Sequence, residues 1–395
     1  MITRGLVVRL GLSQLVCWGI SYYLVALFGP AIVAETGWSR PIVWGGFSAS
    51  LVVMGLASPI IGRLVDERGG RAIMSIGSVL LAAGCLGIAA SRGIVAYYLS
   101  WAVLGLAMRM CLYEAAFASL ARIGGPGARR PISQITLLGG LASTVLWPVG
   151  QALADRFGWR AALVGYAILA LATLPLHLAI PDERHDFAAP GNARHAAPLA
   201  VSRRDKVVAA SLFVVIATLA SFLNAAMSAH MIPILVGLGM AAGPAVWVST
   251  MRGVAQSASR LGELVFGGGL SPLVLAVIAS LIVPTGFGMG LIAGTSVAAG
   301  IGFAGLYGAG TGLWTITRGT QPLVLFDTRS YGTFVGRLLM PSFFLSALAP
   351  VAYAAVIDRC GNAAALYLSL GLAVVILVAS LSLWLAFRRP RVAAA

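Results

Sequence analysis

Arg252 is followed at +4, +7 and +11 by Gln256, Ser259 and Glu263. That spacing lays the four along one face of a helix, and the chain around them is apolar from Pro244 to Phe266. A guanidinium in such surroundings presents a planar fork of donors that suits a carboxylate or similar anion. It serves equally as half of a structural ion pair, because a buried charge has to find a partner.

A second set comprises Arg109, Tyr113 and Glu114. On one continuous helix Tyr113 shares the face of Arg109, while Glu114 stands about 140° round from it and does not pair with it directly. Glu114 is the carboxylate placed deepest in an apolar segment. Desolvation makes a carboxyl group hold its proton more tightly, which suits proton uptake and release. The plainer role is a lasting partner for an arginine elsewhere.

Three polar and aromatic stripes accompany these sets. They are Gln14, Trp18, Ser21 and Tyr22; Ser221, Asn224 and Ser228; and Tyr307, Thr311, Trp314 and Arg318. Aromatic residues at helical spacing more commonly pack or form interfacial belts than bind a solute, and Trp247 reads as a belt residue. Trp147 and Gln151 fit either role. His230, close before Pro233, reads as a hydrogen-bonded cap. Cys17, Cys85, Cys111 and Cys360 lack metal-ligand spacing, so neither a metal site nor a disulfide framework is expected. No catalytic motif and no Gly-Lys-Ser/Thr phosphate loop is present, so neither an enzyme nor a cofactor is expected.

The elements that position these residues must be membrane helices. Of 395 residues 59% are hydrophobic and 10% charged, with a mean hydropathy of +0.94, whereas soluble domains carry about 25% charged residues. Apolar stretches recur from Leu6 to Phe387, and about twelve are each long enough to span a bilayer as a helix. Leu6–Phe28 exceeds a signal-peptide core and reads as the first of them. The stretches run on without alternation, which excludes an outer-membrane barrel.

The net charge of +15 follows membrane topology, not a nucleic-acid face. Arg4, Arg9, Arg63, Arg68, Arg71, Arg122, Arg129, Arg130, Arg184, Arg194, Arg203, Arg204 and Lys206 fall on one side. Arg260, Arg318, Arg329, Arg337, Arg388, Arg389 and Arg391 lie there too or at helix ends bordering it. Arg40, Arg92, Arg156, Arg160 and Arg359 fall on the other. The excess of basic residues places both termini and the central loop in the cytoplasm.

Two halves are expected, 1–180 and 206–395, joined by a cytoplasmic linker over 181–205 that includes Pro190. They look like degenerate copies. Asp155-Arg156-Phe157-Gly158 is echoed by Asp358-Arg359-Cys360-Gly361, and Arg63-Leu64 with Asp66 by Arg260-Leu261 with Glu263. Internal repeats of this kind characterise transporter folds.

Gly62-Arg63-Leu64-Val65-Asp66-Glu67-Arg68-Gly69-Gly70-Arg71 is a tight charged turn between two apolar segments. It resembles the signature loop of major facilitator superfamily transporters at Gly62, Asp66, Gly69 and Arg71. Gly37-Trp38-Ser39-Arg40, Gly158-Trp159-Arg160, Tyr331-Gly332, Gly336-Arg337 and Pro341 resemble the branch with monocarboxylate and oxalate/formate carriers. The resemblance implies an all-α membrane protein of about twelve helices in two pseudo-symmetric six-helix bundles that alternate between inward and outward openings. It implies a cavity lined by the first, fourth, seventh and tenth helices, hence by Gln14, Trp18, Tyr22, Arg109, Tyr113, Asn224, Thr311 and Trp314. Arg252 and Gln256 on the eighth would join them, and Gly62, Asp66 and Arg71 would control gating.

Two arginines against one carboxylate favour a small organic anion, with Glu114 as a proton-coupling group. Other cargoes stay open. A neutral aromatic vitamin of riboflavin type would stack on Trp18, Tyr22 or Trp314, and a thiophilic metalloid would need Cys17 and Cys111 to converge. Drug efflux and a solute receptor without transport are further alternatives. A monomer in a bacterial inner membrane is expected, with no nucleic-acid partner.

Overall fold

A computed structural model describes residues 2–186 and 197–388. Pro190 and Arg194 of the linker, and Arg389 and Arg391 of the C-terminal end, lie outside the described residues. All regular structure among the described residues is helical. The chain divides into two compact units, Met1–His195 with Thr328–Ala347, and Ala196–Asp327 with Leu348–Ala395.

Unit one begins with α1 (Arg4–Ile20) and α2 (Leu24–Thr36), followed by α3 (Arg40–Ala90), α4 (Ile94–Cys111) and α5 (Tyr113–Gly124). α6 (Arg129–Gly140), α7 (Ala142–Ala172) and the short α8 (Leu174–Leu178) complete its N-terminal run. Unit two holds α9 (Arg203–Gly237), α10 (Ala242–Phe266), α11 (Pro272–Gly290), α12 (Val297–Leu325) and α14 (Asn362–Phe387). α13 (Tyr331–Cys360) starts in unit one and ends in unit two.

Among the described residues seven stretches are long and apolar enough to cross a bilayer. Arg40–Ala90, at 51 residues, and Ile94–Leu178, at 85, far exceed the roughly 20 that one crossing needs. Backbone breaks divide them. Gly69 (φ 80°) and Gly158 (φ 82°) adopt a left-handed conformation inside α3 and α7, which glycine alone adopts without steric cost. α10 and α12 are not among the seven. α10 is diluted by Arg252, Arg260 and Glu263, and α12 by glycine and threonine.

Helix starts follow ordinary capping chemistry. Ser202 and Asp205 form a reciprocal capping box at α9, and Ser271 and Ser296 cap α11 and α12. α10 and α12 then approach closely. A side chain at Gly308 would strike the Arg252 backbone, and one at Gly312 would strike Gln256 and Ser259.

Candidate solute-binding site

In unit two, Arg252 reaches from α10 across to α9. Its Nη2 donates to Asn224 Oδ1 at 2.7 Å and to Ser228 Oγ at 3.1 Å. Its Cζ lies 5.2 Å from the ring centroid of Tyr307 on α12. Tyr307 is fully buried and donates its hydroxyl to Leu223 O at 3.0 Å, so the ring beneath the guanidinium is fixed. Among the described residues Arg252 makes no ion pair; its partners are an amide oxygen, a hydroxyl and a π face. It is half-buried. The stripe Asn224/Ser228 on α9 and the stripe starting at Tyr307 on α12 thus meet at one residue of α10. Neutral partners of this kind orient a guanidinium without cancelling its charge.

The remaining predicted residues of unit two lie farther along the same helices. Gln256 is half-buried beside Ser259, whose Oγ donates to Gln256 O. Thr311 is buried and donates to Gly308 O within its own helix. Trp314 is buried with its Nε1 donated to Ser280 Oγ at 3.1 Å, and Ser280 meets Ser380 at 2.9 Å, so its indole belongs to the packing with α11 and α14. Arg318 donates to Ser221 Oγ, and buried Arg260 donates to Thr315 Oγ1 at 3.1 Å. The His230 ring meets Pro350 O at 2.8 Å, and Trp247 is exposed.

In unit one the structure replaces the single continuous helix expected from Arg109 to Glu114 with two. The chain turns extended at Leu112 (ψ −171°), so Arg109 ends α4 while Tyr113 and Glu114 begin α5. A helical angle between them therefore has no meaning. Arg109 is deeply buried and clasps Ser58, with Nε to Oγ at 3.0 Å and Nη2 to the carbonyl at 3.1 Å. Ser58 Oγ in turn donates to Gly336 O at 2.8 Å. Glu114 lies in the first turn of α5, where the N-terminal amides favour negative charge.

The break exposes a polar need that Gln14 meets. Gln14 Nε2 donates to Cys111 O at 2.7 Å, while its Oε1 is buried without a hydrogen bond. Close by is an aromatic cluster. The Trp18 centroid lies 4.8 Å from Tyr22 and 4.9 Å from Tyr113, and Tyr113 stacks on Phe117. Tyr22 lies in the turn beyond the end of α1 at Ile20, not on the helix that its spacing from Gln14 suggested. Trp147 joins through Tyr23, and Gln151 donates to Asp155. The Tyr113 hydroxyl donates to Thr136 O at 3.1 Å, and the Trp18 Nε1 is buried without a hydrogen bond.

The charged loop forms a clamp within unit one. Asp66 Oδ1 accepts from Gly332 N at 2.9 Å. Asp66 Oδ2 accepts from Thr333 N at 2.7 Å and Thr333 Oγ1 at 2.8 Å. A Cβ on Gly62 would strike the Gly332 carbonyl, so α3 and α13 touch backbone to backbone. Arg71 Nε donates to Ile180 O at 2.7 Å, and Arg122 joins Asp66 O to Asp182 and Glu183.

Sequence reading missed Ser58, Thr333, Ser78 and His177. Ser58 precedes Pro59 and Thr333 follows Tyr331-Gly332, but a lone hydroxyl in an apolar run gives no periodic signal.

Comparison with known proteins agrees with this architecture. Mouse monocarboxylate transporter 11 is 28% identical over 173 residues, which are 40% of this chain and only 35% of the mouse protein. The human organic anion transporter MFSD10 (TETRAN) superposes with a TM-score of 0.73 at 16% identity, covering 95% of this chain and 99% of that one. The proton:xylose symporter XylE bound to 6-bromo-6-deoxy-D-glucose gives 0.73 at 12% identity, covering 96% of this chain and 94% of that one. FucP in the outward conformation gives 0.72 at 15% identity, covering 95% of this chain and 97% of that one. At these identities the solved structures speak for the fold alone. The family profile of the Major Facilitator Superfamily matches residues 10–339, and the chain, a multi-pass integral membrane protein, belongs to that family.

Proposed function

We propose that this transporter moves a small organic anion by secondary active transport, with Arg252 as the anion contact. The observation that carries the reading is the neutral setting of Arg252. Asn224, Ser228 and the Tyr307 ring orient it, and none of them neutralises it. A half-buried guanidinium so held attracts a carboxylate more strongly than one exposed to bulk water. Arg109 carries none of this reading, because it is spent on Ser58 inside unit one. The mouse monocarboxylate transporter, similar over part of this chain, is named for a substrate class of the same kind.

In the same reading Glu114 is the proton-coupling group, because it is a buried carboxyl within the apolar bundle. Gly62, Asp66 and Arg71 gate the cytoplasmic side by tying helix ends together. The chain acts as a monomer of two bundles, 1–180 and 206–395, with both termini in the cytoplasm of a bacterial inner membrane.

The test is ligand-induced thermal stabilisation of the detergent-solubilised protein across small carboxylates, inorganic oxyanions and flat neutral aromatics. A ligand at 100 times its Kd stabilises by about 2.7 kcal/mol, enough to read as a shift in Tm. The expected result is a carboxylate that stabilises wild type and loses its effect in Arg252→Ala. A carboxylate effect that survives the substitution overturns the reading.

A second reading rests on the Trp18 indole, a buried N–H without a hydrogen bond inside the aromatic cluster of Tyr22 and Tyr113. A flat neutral solute bearing an acceptor would stack there and take that N–H. Stabilisation by such a compound alone, unaffected by Arg252→Ala and lost in Trp18→Leu, would favour it.

A further inference from the structure

The structure of unit one brings together polar groups that neither the anion contact nor the clamp uses. Cys17 of α1 and Cys111 of α4 are both fully buried, reach one polar cluster through Thr173 and Met74, and lie within electrostatic range of each other. Around them hydrogen bonds knit four helices, α1, α3, α4 and α8. Cys111 Sγ meets Met74 O of α3 at 3.3 Å, and Ser78 Oγ of α3 meets the same carbonyl at 3.3 Å. Ser78 Oγ also lies 2.8 Å from Thr173 Oγ1 and 2.8 Å from His177 Nδ1. Cys17 Sγ approaches Thr173 Oγ1 at 4.0 Å. His177 is fully buried on α8, and its Nε2 has no hydrogen bond.

The chemistry of this cluster is narrow. It holds two thiols, two hydroxyls and an imidazole, with no carboxylate, arginine or lysine among the contacts. Among the described residues no three His, Cys, Asp or Glu side chains converge as a metal set. A divalent or monovalent soft cation needs thiolates, which are costly to form where no positive charge stands by. A neutral thiophile carries no such cost.

We propose that Cys17 and Cys111 form a binding site for a trivalent arsenical, taken as neutral As(OH)3. In As(OH)3 + 2 R–SH → (R–S)2As–OH + 2 H2O, two As–S bonds form while two As–O and two S–H bonds break. The two leaving oxygens depart as water, arsenic stays trivalent, and the site gains no charge. Ser78, Thr173 and His177 supply the hydrogen-bonding groups that the remaining As–OH needs. Cys85 also lies within electrostatic range of Cys17, but its Sγ is committed to Ile20 O at 3.8 Å, away from the Ser78 and Thr173 hydroxyls.

The experiment is native mass spectrometry of the full-length protein in detergent, titrated with sodium arsenite. One arsenic per chain is expected in wild type and in Cys85→Ser and Cys360→Ser. Cys17→Ser and Cys111→Ser should each lose it, with Tm measured alongside to show that they are folded. Arsenic-edge X-ray absorption on loaded wild type reports the ligands without any variant, and two sulfurs with one oxygen are expected. Retention of arsenic by a folded Cys17→Ser or Cys111→Ser protein, an arsenic-free wild type, or a three-sulfur or sulfur-free spectrum would each overturn the proposal.

Discussion

Asp66 Oδ2 accepts both the backbone N–H of Thr333, at 2.7 Å, and its hydroxyl, at 2.8 Å. With the Gly332 N–H on Oδ1, the carboxylate satisfies amides in the first turn of α13 (Tyr331–Cys360), which have no acceptor inside the helix. Its charge also meets the positive end of that helix. In Asp66→Asn the amide nitrogen must face donors where an oxygen stood. Losing such a cap costs about 1–2 kcal/mol. Hydrogen exchange at 332–334 should quicken several-fold and Tm should fall. Unchanged exchange at those amides would show that the clamp contributes nothing to order there.

Arg109 and Ser58 make the corresponding tie inside the apolar bundle. The fork donates from Nε and Nη2 to one serine, and lysine offers a single point donor from another position. Arg109→Lys should lower Tm through the loss of one charge-assisted bond, worth about 1.5–3 kcal/mol. It should leave the affinity for a stabilising carboxylate within about twofold, because the structural role given to Arg109 carries no ligand contact. Ligand titration monitored by Tm separates the two, and a large affinity loss without destabilisation would return Arg109 to the substrate site.

These two ties show where the sequence was readable. Composition and the loop from Gly62 to Arg71 were enough for an all-α membrane protein of this family. The helical spacing from Arg252 to Glu263 places them on one helix, α10. The break at Leu112 left no trace, because it falls in Met110-Cys111-Leu112-Tyr113 with no glycine or proline, and backbone breaks are inferred mainly from those residues. Ser58 and Ser78 were invisible for a related reason. A buried hydroxyl becomes informative only when its partner on another helix is known, as Arg109 is for Ser58 and His177 for Ser78.

Asn224 offers a direct test of the neutral setting around Arg252. Its Oδ1 accepts from Nη2 at 2.7 Å. In Asn224→Asp the same atom becomes a carboxylate oxygen and forms the ion pair that the native site lacks. The variant should fold with a Tm equal to or above wild type. It should bind a stabilising carboxylate at least tenfold more weakly, since the added charge repels it and occupies the fork. Asn224→Ala should weaken binding by less, because it removes orientation without adding charge. Equal binding by wild type and Asn224→Asp would mean that the anion does not meet Arg252.

The sequence places Gln14 among the substrate-facing residues, and its contacts tie half of it to the backbone of α4. Nε2 holds the Cys111 carbonyl at 2.7 Å, beside the break at Leu112 that separates α4 from α5. Oε1 is buried and carries no hydrogen bond. The two ends of one amide therefore make different predictions. Gln14→Leu abandons the carbonyl and should cost about 1–3 kcal/mol, the penalty for an unsatisfied buried polar group. Gln14→Glu sets a carboxyl oxygen against that carbonyl unless the acid is protonated. Its Tm should therefore rise toward wild type as pH falls, while Gln14→Leu should show the same deficit at every pH. Thermal unfolding of both variants between pH 5 and 8 reads this out. A pH-independent Gln14→Glu, or a Gln14→Leu as stable as wild type, would mean that the α4 break is held by backbone packing alone.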